Sequence, residues 1–188
     1  REWEEIVSTL GISNSDNIVI YDNSDVLSSC RCWYTFIFFG HNPNLISILD
    51  GGFLKWKKEN KKTTNKKTVI AKQYYQSRKK IHLVKTKKEI DDNIFKKEFK
   101  IVDARSKNRF LGLEKEPRPE LRSGSIKNSY CLPFMDLINK EDKTFRDKEF
   151  IKKKFKDIGI VNENNIVFSC GSGITASVLA LAYSLIND

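Results

Sequence analysis

Ile166-Val167-Phe168-Ser169-Cys170-Gly171-Ser172-Gly173-Ile174-Thr175 decides how this chain is read. Four residues of strand character give way to a turn holding two glycines, and an apolar helix is predicted from Ala176 to Ile186. Glycine lets the backbone curl so that successive N–H groups face one centre, and the helix adds its positive N-terminal end to the same spot. A thiol placed there ionises easily and can hold an anionic group bonded to it. An ordinary glycine turn after a buried cysteine is the plain alternative.

Working outward, the same pattern occurs earlier. Shifting the sequence by 148 positions lays Leu10 to Asp22 over Ile158 to Cys170, with Gly11, Ile12, Asn14, Asn17, Ile18 and Val19 identical to their partners. Both stretches read as helix end, turn, buried strand and loop. The first copy continues into Cys32 to Phe39, apolar on every side and hence predicted to be a buried helix. It then runs through Gly40-His41 to a strand over Leu45 to Leu49 and the turn Asp50-Gly51-Gly52. Asp22 stands where the second copy has Cys170 and cannot do thiol chemistry, which makes the first copy a scaffold. Apolar strands alternating with helices predict an α/β fold with a mostly parallel sheet flanked by helices on both faces, in two tandem copies. The first copy is cut at its N-terminal side and the second at its C-terminal side, leaving the second short of a strand and suggesting a piece of a longer protein. The expected organisation is residues 1–58 as the end of an inactive copy, 59–80 as a Lys/Asn-rich linker and 81–188 as the catalytic copy.

Composition narrows the function. The net charge of +10 is local: Lys55 to Lys100 carries +12 and the rest of the chain −2. A solvated linker and its neighbouring helix faces account for it, and no aromatic-glycine motif accompanies it to mark a specific nucleic-acid site. No apolar run has the length of a membrane span, and no signal peptide is legible. Cys30, Cys32, Cys131 and Cys170 form neither a disulfide framework nor a zinc template, so a reducing compartment and no metal are expected. His41 reads as a packing or capping residue, and His82 lies at the linker edge, which leaves a Cys-His hydrolase unsupported.

The second dense stretch follows a short strand, Lys100-Ile101-Val102, ending in Asp103-Ala104-Arg105. Asp103 and Arg105 read as a structural ion pair. Arg109 and Arg118, in a loop rich in proline and glycine, offer planar forks suited to a carboxylate, or else pair with Glu114 and Glu116 at the surface.

Taken together, four blocks resemble the tandem rhodanese-domain sulfurtransferases of the 3-mercaptopyruvate sulfurtransferase type. They are Cys32-Trp33 to His41 with Leu49 to Trp56; Val102 to Ser106 with Arg109 to Gly112 and Glu116 to Pro119; Ser123-Gly124 to Phe134; and Cys170 to Thr175. The resemblance implies sulfur transfer from 3-mercaptopyruvate, or thiosulfate, through a Cys170 persulfide to a thiol, thioredoxin or cyanide, without a cofactor. It implies a carboxylate- and keto-binding role for Arg109 and Arg118, a proton relay at Ser172, and persulfide binding by the backbone of Gly171, Ser172, Gly173, Ile174 and Thr175. Gly171 and Ser172 match the neutral pattern of mercaptopyruvate enzymes, where thiosulfate-preferring relatives carry two basic residues. Ala176 stands where cysteine phosphatases need an arginine. The family's catalytic aspartate belongs to a portion this sequence lacks, and Ser125 to Asn128 replaces a His-Ile-Pro-Gly-like segment. The alternative implied is a persulfide carrier that takes sulfur from a desulfurase partner for tRNA thiolation or cofactor synthesis. The expected location is the cytoplasm or mitochondrion.

Overall fold

The computed structural model describes residues 1–161 and 163–187. Asn162, the partner of Asn14 in the internal repeat, and Asp188 lie outside the described residues.

The repeat is visible first in how two helices end. Helix α1 (Glu2–Thr9) and helix α6 (Lys148–Asp157) are each followed by a glycine in the left-handed region, Gly11 at φ 71° and Gly159 at φ 78°. In each, the glycine N–H and the next isoleucine N–H turn back onto the last turn's carbonyls. Ile12 donates to Val7 at 3.3 Å and Ile160 to Phe155 at 3.0 Å. This is a Schellman closure, and an L side chain at the glycine would be strained. It explains why the Gly-Ile pair is the same in both copies.

In the first copy β1 (Ile18–Ile20) pairs in parallel with β2 (Ile46–Ile48), joined by α2 (Ser28–Phe38). A short 3-10 turn at Pro43–Leu45 precedes β2, and α3 (Gly52–Lys58) follows it. The second copy contains α4 (Lys87–Lys96), opened by a Thr86/Glu89 capping box, and β3 (Lys100–Asp103). The one-turn α5 (Lys107–Phe110), β4 (Tyr130–Cys131), α6, β5 (Ile166–Ser169) and α7 (Ile174–Ser184) complete it. Its sheet has the order β4-β3-β5, all parallel, with Asp103 opposite both Cys131 and Ser169. This is the expected α/β arrangement of parallel strands flanked by helices, divided between two sheets.

Packing corrects three expectations. β5 is only half-buried along its length, because it is the edge of its sheet, whereas the central β3 buries Ile101, Val102 and Asp103. Within Cys32 to Phe39 only Phe36 is fully buried, since a two-stranded sheet covers a narrow face of α2. The lysine-rich connection is a solvated linker only in part. Residues 61–70 are exposed, but the following stretch is strapped across the first copy. Gln73 N–H donates to the Ser8 carbonyl, and Arg78 and Lys80 N–H donate to Phe39 and Phe38. Tyr75 is buried, its ring stacked on His41 and edge-on to Phe36. His41 is accordingly a packing residue, with Nε2 3.3 Å from the Asp16 carbonyl oxygen.

Helix α7 is the spine of the second core, burying Val178, Leu179 and Ala182. Leu179 and Ala182 join Val102, Leu132, Ile151 and Phe155. Val178 turns the other way and meets Leu27 and Cys30 of the first copy together with Ile138. The two copies therefore share apolar contacts where α2 lies against α7.

Candidate active site

Strand β5 delivers Cys170 at its C-terminal end, and α7 starts four residues later with Gly173 as its N-cap at φ 83°. Gly173 is thus the glycine that makes the turn. Gly171 has no left-handed backbone; a Cβ there would stand 3.2 Å from Arg109 Nη2, so its smallness serves the approach of the arginine.

Gly173 N–H donates to Cys170 Sγ at 3.0 Å. Burial pushes the Cys170 thiol up, but hydrogen bonds from the Thr175 hydroxyl and from the N–H groups of Ser172, Ala176 and Gly173 outweigh it. The net direction is down, towards a thiolate. The other cysteines go the opposite way. Burial raises Cys32 and Cys131, and burial with the nearby Asp22 charge pushes Cys30 up to about 12.

The sulfur opens into a cavity of about 210 Å³ lined by Cys170, Gly171, Ser172, Ile174 and Thr175 with Arg109 and Arg118. Every residue singled out in the sequence lies here except Gly173, which lines a larger cleft on the other side of the turn. Arg118 Nη1 donates to the Gly171 carbonyl at 3.3 Å. Arg109 meets Glu116 with two donors, Nε at 3.1 Å from Oε1 and Nη2 at 2.5 Å from Oε2. Both open readings of Arg109 are thus realised together: it is paired with Glu116, and it lines the cysteine pocket.

Glu116 is held by two arginines, since Arg105 Nη1 also reaches Oε1 at 2.7 Å. Hydrogen bonds and charge from Arg109, then Arg105, keep its carboxyl below the ordinary range. Arg105 in turn meets Asp103 at 2.6 Å, as expected of a structural ion pair, and donates to the Gly124 carbonyl. The loop is fixed to the end of β3 through this chain of charges. Val26, from the first copy, also lines the pocket. Sequence reasoning missed it because that copy was read as scaffold alone; its only signal is a place in the loop that matches the Cys170 turn.

That matching loop has its own occupant. Asp22 accepts hydrogen bonds from Ser24 N–H at 3.2 Å, Ser28 Oγ–H at 3.3 Å and Ser29 N–H at 2.5 Å, at the N-terminus of α2. A fixed carboxylate fills the first copy's cradle where the second presents a sulfur. Among the described residues no group of three or more metal-ligating side chains occurs, and no helix is long and apolar enough to cross a membrane.

The rhodanese-like domain model matches residues 1–59 and 86–186. The chain belongs to the rhodanese-like domain family. Thiosulfate/3-mercaptopyruvate sulfurtransferase 2 of Arabidopsis thaliana is 35% identical over 195 residues, covering 93% of this chain and 56% of that protein. Human 3-mercaptopyruvate sulfurtransferase is 32% identical over 183 residues, covering 96% and 61%. The crystal structure of Tum1 from Saccharomyces cerevisiae superposes with a TM-score of 0.83 at 26% identity, covering 98% of this chain and 66% of that one. SseA from Escherichia coli, at 23% identity, covers 100% and 68% with a TM-score of 0.85, and shares the fold. The chain spans a little over half the length of the curated relatives it matches.

Proposed function

We propose that this chain is the sulfur-transferring part of a 3-mercaptopyruvate sulfurtransferase. Residues 1–58 serve as the inert copy, 59–80 as the connection and 81–188 as the catalytic copy. The observation that carries the reading is Cys170 Sγ, drawn towards a thiolate by the Thr175 hydroxyl and amide donors and opening into a pocket flanked by Arg109 and Arg118.

The Cys170 thiolate attacks the thiol sulfur of 3-mercaptopyruvate. An S–S bond forms, and the carbon–sulfur bond breaks with its electron pair leaving on the pyruvate enolate. The enolate takes up a proton through Ser172, which is exposed at the pocket, and leaves as pyruvate. Arg109 and Arg118 hold the substrate carboxylate and keto oxygen, a role for which guanidinium forks are suited. The amides of Gly171 to Thr175 hold the outer sulfur of the persulfide. A thiol, thioredoxin or cyanide then attacks that outer sulfur and returns the Cys170 thiolate. Gly171 and Ser172 add no positive charge to that of Arg109 and Arg118, which favours mercaptopyruvate over the dianion thiosulfate.

Likeness to a relative named as mitochondrial, the Arabidopsis sulfurtransferase 1, supports the mitochondrion beside the cytoplasm as the place of action. The test is intact-mass analysis after incubation with 3-mercaptopyruvate. The expected result is a gain of one sulfur atom, lost on treatment with a thiol and absent in Cys170→Ser. An unchanged mass in the unsubstituted chain, or a gain that survives Cys170→Ser, overturns the reading.

A further inference from the structure

The first copy has Asp22 in place of a nucleophile at the position of Cys170, yet one of its side chains reaches the turn that holds Cys170. Arg31, in the first turn of α2, is exposed and lines a cleft of about 690 Å³ together with Gly173, Ser177, His82 and Lys85. A Cβ on Gly173 would be 3.4 Å from Arg31 Cζ and closer still to Nη1. The guanidinium therefore rests on Gly173 itself, occupying the space that a side chain there would take. Gly173 is also the residue whose N–H donates to Cys170 Sγ at 3.0 Å. With standard backbone bond lengths, Arg31 Nη1 lies no farther than about 8 Å from the sulfur. Among the described residues no carboxylate comes within salt-bridge distance of it, so its charge is not consumed locally.

We propose that Arg31 is a positioning residue for Cys170, carried by the first copy: its guanidinium backs the Gly173 turn from the large cleft and presents positive charge to the sulfur from behind. It never meets substrate, because Cys170 opens to the small pocket on the opposite side of the turn. Two effects follow. The guanidinium fixes the turn that aims the Gly173 N–H, and its field favours a negative sulfur over a range shorter than the Debye length. The other charged and titratable groups about the turn are Arg109, Arg118 and Glu116, which line the pocket, and His82 and Lys85, which line the cleft. The two copies are thereby complementary rather than alike. Leu27, at φ 48°, is the N-cap of α2 where Gly173 is the N-cap of α7, and it packs into the shared apolar cluster. The second copy keeps a glycine at its cap and receives a cation there.

This inference rests on Cys170 as the sulfur-carrying group, but its readout is the ionisation of that thiol and not turnover, so the two can fail separately. The rate of iodoacetamide modification of the Cys170 peptide is followed against pH by mass spectrometry, in the unsubstituted chain, Arg31→Gln and Arg31→Lys. The expected result is a midpoint about 0.5 to 1 pH unit higher in Arg31→Gln, with Arg31→Lys recovering most of the shift. An unmoved midpoint in Arg31→Gln overturns the proposal. An equal rise in both variants also overturns it, because packing alone then accounts for the effect. Protection of the buried Cys30 confirms in each variant that the chain is folded. Should Arg31→Gln lose that protection, Arg31→Met, which keeps an apolar stem, is titrated in its place, and an unmoved midpoint there is equally fatal.

Discussion

At the scale of single residues, four thiols in one chain are sorted by their surroundings. Cys170 is pulled below the ordinary thiol value of 9.0 by donors that outweigh its burial, whereas burial lifts Cys30 to about 12 and raises Cys32 and Cys131. A thiol reagent at about pH 8, a unit below the ordinary value, should therefore modify Cys170 first in the folded chain and all four together once it is unfolded in denaturant. Peptide mapping after brief exposure to iodoacetamide checks this, and preferential labelling of Cys131 would contradict it. The linked effect on stability runs in opposite directions. Because its folded value is depressed, Cys170 contributes stability above pH 9.0 that is lost as the pH falls through its folded value. Cys30 contributes below 9.0, and that contribution is lost as the pH rises towards about 12. The sulfur's importance was legible in the sequence because Cys-Gly-x-Gly between strand and helix is a local pattern. The doubly held Glu116 was only half legible. Its pairing with Arg109, seven residues earlier on the one-turn α5, is local, but its second partner, Arg105, is oriented by Asp103 at the end of β3.

At the scale of elements, the strap after residue 70 is where sequence and structure part most. Lysine, arginine and glutamine make up most of it, and composition of that kind signals a solvated chain. What composition could not show is that Tyr75 has a slot waiting, formed by Phe36 and His41, more than thirty residues away in sequence. A single aromatic anchor with backbone bonds on either side turns a linker into a packed element, and no periodicity announces it. Tyr75→Ala should cost about 3 kcal/mol, the usual loss for a large buried ring, while Lys66→Ser and Lys67→Ser in the exposed half should stay within about 0.5 kcal/mol. Urea unfolding followed by tryptophan fluorescence measures both, and equal midpoints for the two kinds of substitution would refute the anchoring. The turn-and-strand halves of the repeat were far more legible. Gly11 and Gly159 are required by backbone sign, and Ile18 and Ile166 begin equivalent strands, so the same residues recur for the same local reasons.

Across the whole molecule, the repeat announces that the copies are alike but says nothing of how they face one another. The contact between α2 and α7 joins residues nearly 150 positions apart, and the side chains that make it, Leu27, Cys30 and Val178, are ordinary apolar residues in sequence. Polar links run beside them: Phe145 N–H donates to Asp50 at 2.9 Å, and Lys143 pairs with Asp25 at 3.3 Å. A shared apolar cluster of this kind makes the two copies one cooperative unit, since neither can open without exposing the other's surface. The chain supplies its own reporters. All three tryptophans, Trp3, Trp33 and Trp56, lie in the first copy, while Cys170 lies in the second. Val178→Ala, a cavity cut from the second copy's side of the contact, should cost about 2 kcal/mol. If the copies unfold together, the tryptophan curve and the loss of selective Cys170 modification move to lower urea by the same amount. A tryptophan curve that stays in place while the Cys170 curve moves would show two independent units, and the first copy would then be a passive neighbour of the site instead of part of its support.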